Sequence, residues 1–110
     1  MGKLLVLASG VVKSAGAARA VSAYVVLSAG AASRVFRVRG SVDAPSVEEL
    51  PSATTLDIKR FQTELDEDLQ PALQAARATD PKAHVELSRP EWVSAFVRRH
   101  LKQTEGLDAD

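Results

Sequence analysis

The chain has 110 residues, with 14 basic and 14 acidic side chains and no cysteine. That length holds one small domain. The balanced charge gives no global pull toward nucleic acid or anionic lipid, and the missing cysteine excludes disulfides, thiolate metal ligands and a cysteine nucleophile together.

The charges are balanced but not mixed. Residues 1–42 carry six bases (Lys3, Lys13, Arg19, Arg34, Arg37, Arg39) and no acid, whereas eight bases face 14 acids from Asp43 onward. The break falls in the turn-rich stretch Gly40-Ser41-Val42-Asp43-Ala44-Pro45. We therefore divide the chain into a basic, apolar segment, residues 1–42, and an acidic helical region, residues 43–110, within one structural unit.

The first segment opens with the apolar run Leu4-Leu5-Val6-Leu7-Ala8 followed by Gly10. A strand and glycine turn of this kind would begin a dinucleotide fold. Only Gly10 and Gly16 are present, and no acid follows about 20 residues on to hold a ribose, so the fingerprint is not met. Between Arg19 and Arg34 lie 14 uncharged residues. Crossing a hydrocarbon core takes roughly 20, a length that residues 11–33 reach only by including Lys13 and Arg19. Gly16, Ala20, Ala23, Leu27 and Ala31 recur at helical spacing. A stripe of small residues lets helix backbones approach closely, and we take it as a partner-packing face. Arg34-Val35-Phe36-Arg37-Val38-Arg39 alternates charged and apolar, the pattern of a half-exposed strand or of a helix end at a polar boundary. Its arginines form the expected basic interface.

In the second region, Ser46 and Glu49 stand at capping-box spacing before Pro51 and predict a short helical turn. Thr54 and Asp57 open a longer helix over 56–78. Its apolar face holds Leu56, Ile58, Phe61, Leu65, Leu69, Leu73 and Ala76, with Pro71 expected to kink or break it near Gln70. Residues 83–87 alternate and predict a short extended piece. Ser88, Pro90 and Glu91 then start a last helix with Trp92, Val93, Phe96, Val97 and Leu101 on its apolar face. Gly106 ends it, and residues 107–110 read as a frayed acidic tail.

Little in the sequence carries chemistry. His84 and His100 are far apart and lack a partnered base or nucleophile, and His100 suits a helix C-terminus. The run Glu64-Leu65-Asp66-Glu67-Asp68 wraps a helix surface and lacks the glycine and spaced oxygens of a calcium loop. It reads as a solvated face, or as a docking surface for a basic partner or for the chain's own basic first part.

An acid-free, Arg-, Ser- and Ala-rich start resembles a mitochondrial targeting segment. With the hydrophobic stretch and amphipathic tail that follow, residues 1–42 resemble the small accessory subunits of inner-membrane respiratory and ATP synthase complexes. The likeness is one of composition, shared with high-GC bacterial sequences, and transfers no functional residue. The leading expectation is thus a mainly α protein, a non-catalytic accessory subunit of a membrane-associated complex at the mitochondrial inner membrane. It would have no catalytic, cofactor or metal residues, and its partners would be protein subunits and the bilayer, with nucleic acid disfavoured. The alternative is a soluble α+β domain with strands at 3–8, 24–28, 35–39 and 83–87 under the two helices. It would be a binding module, a phage or bacterial structural protein of the particle or cytoplasm, or a degenerate nucleotide fold.

Overall fold

In the computed structural model, residues 2–51, 54–88 and 91–109 are described. The first half of the chain is a β-meander: β1 (Lys3–Ser14), β2 (Ala17–Ala29), β3 (Ala32–Ser41) and β4 (Ala44–Glu49). Helix α1 (Ile58–Arg77), the short strand β5 (His84–Glu86) and helix α2 (Glu91–Glu105) follow. The sheet order is β4-β3-β2-β1-β5, antiparallel throughout. Two-residue turns join the meander. At the first, Ala15 and Gly16 both have positive φ, 53° and 76°, the backbone of a type I′ turn whose twist matches the strands it joins.

The mainly α expectation is overturned. Residues 11–33, read as a spanning or partner-packing helix, are the β1–β2 hairpin and its turns. No helix among the described residues is long and apolar enough to cross a membrane, so the membrane-associated helical reading of this segment is corrected as well. The physical reason lies in the layering. Helix α1 covers one face of the sheet and α2 the other. The α1 side holds Ala8, Val12, Ala20, Tyr24, Val26 and Val35 under Phe61, Leu65, Leu69 and Leu73. The α2 side holds Val11, Val21, Val25, Leu27, Phe36 and Val38 against Val93, Val97 and Leu101. A strand buried on both faces loses its period-2 alternation and becomes a continuous apolar run, which in an alanine-rich sequence imitates a helix. The small-residue stripe is accordingly divided. Gly16 and Ala31 lie in turns, Ala20 faces α1, and Ala23 and Leu27 face α2.

Helix α1 matches its expected apolar face at Phe61, Leu65, Leu69 and Leu73, but Leu56 and Ile58 are about half exposed, outside the packed part. Asp57 caps it by accepting from the Arg60 N–H. The helix continues through Pro71, which is exposed, so the expected break does not occur. Over β1 it comes down on Gly10, where an added Cβ would lie 3.0 Å from Leu65 Cδ1. The predicted helical turn at 45–49 is instead β4. Ser46 Oγ donates to the Arg39 carbonyl, and Glu49 is drawn across to Arg34. The short extended piece is β5, and α2 follows, with its predicted start at Pro90 outside the described residues. Gly106 (φ 64°) ends α2, with Leu107 N–H returning to the Leu101 carbonyl. The tail is not frayed through Ala109, which is buried, bridges to Gly2 and accepts from Arg98 Nε.

Candidate binding groove

Helix α1 lies over β1 and β2 and, on the same face, leaves open the end of β3 at Arg39–Ser41 and the adjoining part of β4 at Ser46. The step between the helix and this open stretch forms a groove of about 980 Å³, open along one side. One bank is the C-terminal half of α1, with Asp68, Ala72, Ala75 and Ala76, and Thr79 in the turn that follows it. The floor and other bank are sheet: Ser14, Arg19, Ala20, Arg39, Ser41 and Ser46. Methyl groups line the channel and hydroxyls rim it, so another backbone can approach closely and find hydrogen-bond partners on both sides.

Two β-bulges set this geometry. In β1 the register shifts between Val6 and Ala8, and faces exchange across it: Leu4 and Val6 face α2, whereas Ala8 and Val12 face α1. In β2, Val12 pairs with Ala20 while Lys13 pairs with Ala18, leaving Arg19 unpaired in the β1–β2 ladder. Simple alternation would put Arg19 on the α2 face beside Val21. The bulge re-aims it, and it lines the groove next to Ala20. Arg19 is exposed and makes no ion pair among the described residues. Arg39 enters from β3 and is held loosely, 3.8 Å from Asp68 and 3.7 Å from Glu48. Asp68 also accepts from Ser22 Oγ at 3.4 Å.

Asp80 closes one end of the groove and is structural. It accepts from the Ala15 and Lys82 N–H groups and from Ser14 Oγ, which ties the first hairpin turn to the end of α1. Those backbone donors hold its carboxyl below the usual aspartate range. Beyond the other end, Tyr24 stacks on Phe61 with ring centroids 4.4 Å apart and donates to Glu64. Burial pushes its phenol up.

The expected basic interface does not form one patch. Arg34 is on the α2 side, where it bridges Glu49 (2.8 Å) and Glu105 (2.7 Å) and lies over the Phe36 ring. Its hydrogen bonds hold both carboxyls below the usual glutamate range. Arg37 and Arg39 are on the α1 side, and Arg37 pairs with Glu48 and is mostly covered. Of the three, only Arg39 reaches the groove. Arg19 was not marked by the sequence reading, because its role depends on a bulge without a local signature. The histidines stay apart: His84 is exposed on β5 beside the Lys82 carbonyl, and His100 is half-buried on α2. Among the described residues no group of three His, Cys, Asp or Glu side chains is placed to hold a metal ion. The acidic run of α1 divides likewise. Asp66 and Glu67 are exposed, while Glu64 and Asp68 turn toward Tyr24 and Arg39 of the chain's own basic segment.

Comparison of the chain with protein-family models, with curated proteins and with solved structures gives no match to any of them.

Proposed function

We propose that the chain is a non-catalytic binding module, a subunit that works by receiving a segment of a partner protein in the groove between α1 and β2–β4. The observation that carries this is the groove itself. It is open rather than enclosed, floored by alanine methyls and rimmed by Ser14, Ser41, Ser46 and Thr79. Its volume is at the upper end of what small-molecule sites enclose, roughly 300–1,000 Å³. Its charged side chains are arranged as binding groups. Neither histidine joins a hydroxyl or carboxylate in a nucleophile–base pair.

Ala75 is exposed and lines the groove, whereas its exposed neighbour Gln74 does not. Ala75→Trp therefore obstructs the groove without disturbing the core, and Gln74→Trp is its control. On native gels of the source cells, the wild-type chain and Gln74→Trp are expected to migrate in a larger complex, with Ala75→Trp released from it. A wild-type chain migrating as the free 11.7 kDa protein, or Ala75→Trp that stays in the complex, would refute the reading.

A further inference from the structure

We propose that the groove takes an extended acidic peptide, one carboxylate of which is held by Arg19 with Arg39 behind it. This rests on the reading of the groove as a docking site and adds the chemistry of the occupant. Arg19 is brought into the channel only by the β2 bulge, and no carboxylate of the described chain neutralises it there. Every other basic residue of the meander beyond Lys3 has an internal ion-pair partner: Lys13 with Glu86, Arg34 with Glu49 and Glu105, Arg37 with Glu48, and Arg39 with Glu48 and Asp68. Arg39 sits at the long end of ion-pair distance from both its carboxylates, so it can turn to an incoming anion. An arginine fork matches a carboxylate with two parallel N–H···O bonds. The alanine side chains of the floor keep the channel open to a peptide backbone. The hydroxyl oxygens of Ser14, Ser46 and Thr79, whose protons are donated within the chain, can accept from peptide N–H groups on either side of the anchored acid, and Ser41 Oγ keeps its proton for a peptide C=O. An extended chain in an open channel fits these features better than a compact small molecule.

The test is selection of random dodecapeptides displayed on phage against the purified full chain, followed by fluorescence anisotropy with the most enriched peptide labelled. Enriched peptides are expected to carry Asp or Glu at one fixed position. Arg19→Gln should weaken the labelled peptide about tenfold, and binding should weaken further as salt is raised. Selection on Arg19→Glu, its fold checked by circular dichroism, should replace the fixed acid with Lys or Arg. A merely structural role for Arg19 would not produce that exchange. Peptides enriched with no fixed acid, or indifferent to Arg19→Gln, overturn the proposal. So does a chain that selects no peptide yet binds a small amphipathic anion such as decanoate in an Arg19-dependent way. Loss of the native complex in Ala75→Trp together with any of these results leaves the docking reading standing and removes only its acidic occupant. Persistence of the complex in Ala75→Trp removes the docking reading itself.

Discussion

Leu65 of α1 packs directly over Gly10 of β1, and the two positions are coupled. Leu65 is fully buried. Leu65→Ala removes three carbons, about 2.4 kcal/mol at about 0.8 kcal/mol per buried CH₂. The cavity left behind raises the cost to about 3–4 kcal/mol. Gly10→Ala places a methyl 3.0 Å from Leu65 Cδ1 and 3.3 Å from Leu69 Cδ1. Overpacking of about 1–3 kcal/mol then opposes the gain of about 0.4–1 kcal/mol from a less flexible unfolded chain. The single substitution should therefore be mildly destabilising. In the Leu65→Ala background the nearer clashing atom is gone and the new methyl enters the cavity. Gly10→Ala should become neutral or stabilising there, with a coupling of about 1–2 kcal/mol. Urea unfolding of the four proteins of the cycle, followed by circular dichroism and by the single tryptophan, half-buried Trp92, measures it. Additivity within about 0.5 kcal/mol would refute the packing argument.

Other expectations concern single sites. Tyr24 is the only tyrosine, and because burial raises its phenol, ultraviolet titration of the folded protein should place it above the ordinary tyrosine value of about 10. A folded-state value above the unfolded one means this stabilisation is complete below about pH 10 and lost as pH rises through the folded value; a phenol titrating normally would contradict the stack on Phe61. Glu49 and Glu105 are shifted the other way by Arg34, so their contribution is present above the unfolded glutamate value of about 4.3 and lost as pH falls through their folded values. Arg34→Gln should therefore flatten the acid side of the stability curve below about pH 4.3, and an unchanged slope in acid titrations of stability would count against the bridge. Gly16 has φ 76° with open space around its Cα, so Gly16→Val should cost about 1–2 kcal/mol from backbone strain alone, read as a lower melting temperature; no change would mean the turn relaxes to another type.

What the sequence determined by itself is the pair of helices. In α1 Phe61, Leu65, Leu69 and Leu73 follow one another in steps of four, about one helical turn, and in α2 Val93, Val97 and Leu101 do the same. Each helix buries one face and leaves the other in water, so amphipathicity records its type and orientation. The half-exposed alternation of β3 at 34–39 and the brief alternation around β5 were legible for the same reason. β1 and β2 were not. Their residues are buried by α1 on one side and α2 on the other, which erases alternation, and Ala and Gly at such positions serve close packing under Leu65 and Leu69 rather than helix propensity. Ser46 and Glu49 show the converse error: a capping-box spacing is local, and the bonds to Arg39 and Arg34 that hold those side chains in β4 are not. The groove was half legible. Arg39 stood out within the basic run, but Arg19 is carried to its bank by a one-residue slip between β1 and β2. That slip comes from the registration of two strands and belongs to neither sequence alone. Tertiary structure decided it because a single extra residue exchanges the faces of a strand at little local cost. Only the packing of both helices against both faces selects which exchange is made.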